Sequence, residues 1–96
     1  MILTKVVFDT KNTNWTNDRS HSHMFLFMEE RYINDMIRSR GYIYLNQIYE
    51  ALDIEWNPEY ENPCIKRGNA NLIRFIEFEI FDQPDNSILI MIHHYV

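Results

Sequence analysis

Ile88-Leu89-Ile90-Met91-Ile92, read together with the run Leu72-Ile73-Arg74-Phe75-Ile76-Glu77-Phe78-Glu79-Ile80-Phe81 ahead of it, decides the fold. The earlier run alternates. Leu72, Ile76, Phe78 and Ile80 fall on one side with Arg74 among them, and Ile73, Phe75, Glu77, Glu79 and Phe81 fall on the other. A period of two is the mark of a strand with one buried face, and the two glutamates identify the wetter face. Asp82-Gln83-Pro84-Asp85-Asn86 is a cluster of turn formers, after which residues 87–96 return as a second strand. Because residues 88–92 are apolar at every position, this strand has apolar side chains for both faces and belongs in the middle of a sheet.

Residues 2–8 supply a neighbour for it. Ile2, Val6 and Phe8 alternate with Leu3, Lys5 and Val7, which predicts a strand able to pair along the other side of the central one. Between these β segments lie two helical patterns. Over residues 28–40, Ile33, Met36 and Ile37 recur at helical spacing, with Met28 and Tyr32 continuing the stripe backwards. Glu29 and Glu30 open this helix, Arg38 and Arg40 close it, and Gly41 provides a left-handed cap. A shorter stripe, Leu45, Ile48, Tyr49 and Leu52, predicts a second helix with Asn46 as its N-cap. The polar stretch 9–23 and the Pro-interrupted stretch 55–71 read as loops. The expected fold class is α+β: a small, mostly antiparallel sheet of about three strands, C-terminal hairpin included, with two helices packed on one face.

Ninety-six residues support one domain spanning 1–96, because a second core would lack apolar material. Fourteen acidic residues against nine basic ones leave a net charge of −5, which disfavours a phosphate-tracking nucleic-acid partner and suits a basic protein. Cys64 is the single cysteine, so no internal disulfide forms and a reducing, cytoplasmic setting is expected. The longest apolar stretch has five residues, far below the roughly 20 of a membrane span, so no membrane partner is expected. The apolar run at the N-terminus is too short for a signal peptide.

Reactive residue types are present without reactive spacing. His21 and His23 lie far in sequence from His93 and His94, and the latter pair, adjacent on a strand, point to opposite faces. Cys64 sits in Pro63-Cys64-Ile65, which carries no nucleophile signature. Glu77 and Glu79 share a strand face that reads as solvated, and two glycines cannot build a phosphate loop. No catalytic, cofactor or metal site is therefore expected. The partner-binding candidates are Trp56 and Tyr60, which stand among Glu59 and Glu61 in a polar loop, since exposed aromatics ringed by acids are typical anchors. The expected activity is that of a non-catalytic interaction protein with a protein partner, and homodimerisation through an exposed edge of the hairpin is a further expectation. Two other readings stay open. One is a degenerate helix–turn–helix regulator, although Pro58 and Pro63 interrupt the place of a recognition helix and Lys66-Arg67 is the only adjacent basic pair. The other is a small metal-binding protein built on the histidines.

The stretch from Tyr32 to Leu52, with its Arg40-Gly41-Tyr42 step and Leu45-Asn46 lead into the second helix, resembles a small uncharacterised family of phage and mobile-element proteins from low-GC Gram-positive bacteria. The resemblance covers residues 28–54, with a fainter echo in the hairpin; Asp53 stands where that family carries Gly. It implies an accessory role in a host cell's cytoplasm, inhibition of a host defence system among the roles.

Overall fold

The computed structural model describes residues 2–68 and 72–95. Of the expected loop over 55–71 and the terminal strand over 87–96, residues 69–71 and 96 lie outside the described residues. In chain order the elements are β1 (Ile2–Phe8), α1 (Arg19–Arg40), β2 (Tyr42–Tyr44), α2 (Leu45–Ala51), β3 (Cys64–Lys66), β4 (Ile76–Asp82) and β5 (Ile88–His94). β5 is central in an antiparallel sheet of order β1-β5-β4, and β2 and β3 form a second, two-stranded antiparallel sheet.

The strand order follows from side-chain chemistry. Ile88, Ile90 and Ile92 are fully buried, and Leu89 and Met91 on the opposite face are half-buried. Even-numbered positions of all three strands (Val6 and Phe8, Ile76 and Phe78, Ile88 to Ile92) face the core formed with Leu26, Ile33 and Ile37 of α1 and Ile48 of α2. The odd-numbered face is open, with Val7 and Phe81 exposed in register on either side of Leu89. Ile2, expected on the same side as Val6 and Phe8, is not there. A register shift between Ile2 and Thr4 places it opposite His93 on the open face, since one extra residue reverses the side-chain alternation.

α1 begins at Arg19, well before the expected start near Met28, so residues 19–23 are helical and not loop. Asp18 is the cap: its carboxylate accepts from the backbone N–H groups of Ser20 (2.9 Å) and His21 (3.4 Å). The buried stripe runs through Ser22, Leu26, Ile33, Asn34 and Ile37. Ile33 and Ile37 are the expected members, with Met36 packed beside them, while two others are polar, so apolar periodicity alone does not carry the stripe correctly towards the N-terminus. Met28 and Tyr32 are more than half exposed. The remaining loop, 9–18, is tied down by buried Asn12, whose carboxamide donates to the carbonyls of Leu52 and Asp53. Gly41 ends α1 with φ of +89°, as expected of a left-handed cap. The N-cap of α2 is Tyr44, not Asn46; the Gln47 side chain accepts from the Tyr44 N–H at 2.9 Å.

β4 starts at Ile76, four residues later than its alternation suggested; ahead of it the Ile73 carbonyl and the Phe75 N–H are bonded to α1, and the Phe75 carbonyl accepts from the Tyr95 N–H beyond β5. From there α1 runs antiparallel to β4 and stands in for a strand along its outer edge. Arg38 donates to the Ile73 carbonyl; Asn34 accepts from the Phe75 and Ile76 N–H groups and donates to the Ile76 carbonyl; Glu30 accepts from the Phe78 N–H; His23 pairs with Asp82; and Arg19 donates to the Gln83 carbonyl. The spacing works because four helical residues rise about 6 Å and two strand residues about 6.6 Å. Side chains from successive helical turns therefore meet Ile76 and Phe78, and His23 meets Asp82 further along. Both edges of the hairpin are thus occupied, β5 by β1 and β4 by α1, and the outer margin of the sheet that pairs with no strand among the described residues belongs to β1.

Candidate functional site: an aromatic cleft beside the first strand

α2 and the loop after it lie beside β1 and form a shelf. Tyr49 of the α2 stripe is buried, and its hydroxyl meets the Thr4 hydroxyl of β1 at 2.9 Å. Asp53 then turns the chain at φ +56°, a left-handed conformation that glycine takes freely and aspartate takes at modest cost. That turn brings Trp56 back over Tyr49, with ring centroids 5.3 Å apart, and Tyr60 stands edge-on to Trp56 at 6.1 Å. Such tilted and edge-to-face pairs are the favoured arrangements of aromatic quadrupoles.

The result is an open cleft of about 370 Å³ between Leu3, Thr4 and Lys5 of β1 and the Tyr49–Trp56–Tyr60 stack, with Glu61 at its rim. A second concavity of about 280 Å³ continues along β1, between Val7 and Asp9 on one side and Asp53, Ile54 and Glu55 on the other. Of the residues singled out from sequence, Trp56, Tyr60 and Glu61 converge on the first cleft. Glu59 is exposed outside it, in a turn where its N–H donates to Asn57 Oδ1 at 2.9 Å. Trp56 is half-buried against the core while Tyr60 is 60% exposed, so the first ring anchors the second. Sequence reasoning missed the contribution of Tyr49, which reads as plain helix core, and that of β1, which lies more than 40 positions away.

The other reactive types are dispersed. His23 is bonded to Asp82 at 2.8 Å at the α1 end, His93 to Glu79 at 3.1 Å on the open face, and His94 is turned toward the core, where burial lowers its pKa. Among the described residues no group of three or more His, Cys, Asp or Glu is placed to hold a metal ion. Glu77 and Glu79 are not a carboxylate pair. The Tyr95 hydroxyl donates to Glu77 at 2.8 Å and, with Arg74, holds that carboxyl below its ordinary range, while the same bond pushes the Tyr95 phenol up. Cys64 is half-buried in β3 opposite Tyr44.

Basic charge collects where α1 ends. Arg67 donates to the Arg38 carbonyl at 2.5 Å, and Arg40 lies over the Tyr42 ring at 5.0 Å. Where a recognition helix would stand, the described residues form a loop and then β3. No helix among the described residues is long and apolar enough to cross a membrane. No family model, no curated protein and no solved structure matches this chain.

Proposed function

We propose that this chain is a non-catalytic interaction protein whose cleft of Tyr49, Trp56, Tyr60 and Glu61 receives a protein partner. The observation that carries this reading is the stack of three aromatic rings, graded from buried to exposed, opening beside β1. Rigid aromatic rings with an exposed end supply much contact area at little entropic cost, which is why they dominate binding hot spots. The net charge of −5 favours a basic partner through steering. The resemblance over residues 28–54 to phage and mobile-element proteins supports an accessory role for the chain. Its partner is then a host or phage protein met in the host cytoplasm, a component of a defence system being one such target.

The test compares immobilised wild-type protein with the Trp56→Ala/Tyr60→Ala double variant in capture from host lysate. A specific partner retained by the first and lost by the second is the expected result. A partner held equally by both, or no specific partner in repeated captures, ends the reading.

A further inference from the structure

The pairing registers determine which backbone groups of β1 are spare. In β4 the N–H groups of Ile76 and Phe78 point away from β5 and are taken by α1, so residues 77, 79 and 81 bond to β5 through His93, Met91 and Leu89. The Tyr95 N–H donating to the Phe75 carbonyl at 2.8 Å continues this odd-numbered ladder. The alternate residues of β5, Ile92, Ile90 and Ile88, then bond to Thr4, Val6 and Phe8. The N–H and C=O groups of Lys5 and Val7 are therefore directed outward, at the margin of the sheet that no strand or helix ladder covers among the described residues. Both concavities described above lie along that margin.

We propose that β1 is itself the recognition element: an extended, basic segment of the partner adds to its outer side as a fourth strand. Its alternate side chains settle on the shelf of Ile54, Trp56 and Tyr60. The inference rests on the cleft reading above and specifies how the partner is held. Strand addition takes affinity from main-chain hydrogen bonds and specificity from pockets met by every second side chain; the shelf supplies such pockets in series. Charge selects the occupant. Asp9, Asp53, Glu55 and Glu61 line the two concavities against Lys5 and Lys11 only, so the walls favour lysine and arginine. A second copy of this chain is the wrong occupant, because two-fold pairing of β1 with itself brings two acidic walls together and, centred on Lys5, sets like charges opposite one another.

The experiment is selection of random twelve-residue peptides on immobilised wild-type protein, followed by affinity measurement of a selected peptide. The expected sequences alternate apolar residues with Lys or Arg. Binding should fall at least tenfold on Val7→Pro, which removes an outward N–H at an edge position where proline leaves the inner ladder intact. It should fall as far for wild-type protein when the peptide is N-methylated at a pairing residue, a control that needs no change to the protein. Peptides weakened by Trp56→Ala but indifferent to Val7→Pro and to N-methylation would overturn strand addition and leave the cleft reading standing. A selection that returns no peptide, or only peptides indifferent to Trp56→Ala, overturns both. A dimer in light scattering that Val7→Pro converts to monomer would assign the margin to a second copy and overturn the basic occupant.

Discussion

Asn34 of α1 and Ile76 of β4 exchange hydrogen bonds in both directions: Asn34 Nδ2 donates to the Ile76 carbonyl at 2.9 Å and Oδ1 accepts from the Ile76 N–H at 2.9 Å. Oδ1 also accepts from the Phe75 N–H at 2.7 Å. One carboxamide thus does for this edge what a neighbouring strand does elsewhere. Replacing it by alanine leaves buried donors and an acceptor without partners, each costing about 1–3 kcal/mol. Asn34→Ala is expected to lose about 3 kcal/mol in urea denaturation, and Asn34→Leu, of similar size, to do no better, because the loss is of hydrogen bonds and not of volume.

Ser22 presents the reverse case on the same helix. Its hydroxyl is buried and has no hydrogen-bond partner among the described residues. Alanine removes the stranded group and is the better helix former, so Ser22→Ala should raise stability by about 1 kcal/mol. An unchanged or lower denaturation midpoint would contradict this.

Gly41 carries a purely conformational constraint. A Cβ there would have 3.8 Å to its nearest neighbour, Arg67 Nη2, so space is adequate while φ is +89°. Gly41→Ala is expected to cost about 1–2 kcal/mol from backbone strain alone. Gly41→Asn should cost less, and equal losses for both would argue against this origin.

Trp56 and Tyr60 separate stability from binding. Tyr60 is 60% exposed and touches Trp56 edge-on, so Tyr60→Ala should change stability by no more than about 0.5 kcal/mol. Trp56 is half-buried on Tyr49, and Trp56→Ala should lose about 2 kcal/mol. Thermal melting of the two variants beside wild type checks the order.

Glu77 gives the fold a pH dependence of known sign. Its carboxyl is held below the ordinary carboxylate range first by the Tyr95 hydroxyl and then by Arg74. A carboxyl lowered in the folded state stabilises the fold above its unfolded value, and that contribution disappears as pH falls through the folded value. Tyr95→Phe should move the Glu77 titration upward, as followed by carboxyl NMR, and reduce the loss of stability on acidification. A Glu77 titration that stays in place would refute the assignment.

The elements legible in the sequence are those where a single physical signal dominates. Residues 88–92 are apolar on both faces and sit in the middle strand; Gly41 ends a helix; Asp82 to Asn86 turn the hairpin. The parts that were not legible are governed by polar side chains with distant partners. Ile33, Met36 and Ile37 mark the core face of α1, but Ser22 and Asn34 also occupy it, so the apolar period carries the stripe backwards onto exposed Met28 and Tyr32, and Asp18 caps a helix that begins within a stretch without apolar pattern. β3 lay hidden in a loop because three residues beside Pro63 carry too little pattern to reveal a strand, and only pairing with β2 defines it. The cleft was half legible. Trp56, Tyr60 and Glu61 stood out by composition, whereas Leu3, Thr4 and Lys5, from the opposite end of the chain, come to it only through the placement of β1 beside β5.

The ladder from α1 also makes the sheet a one-ended object. Fibrous stacking needs two docking margins per molecule, one to join the growing array and one to extend it. Here Arg38, Asn34, Glu30 and His23 seal one margin with side chains of the same molecule. Whatever docks at β1, a foreign chain or a twin, therefore terminates the array, and open-ended polymerisation through this sheet is closed off by its own longest helix.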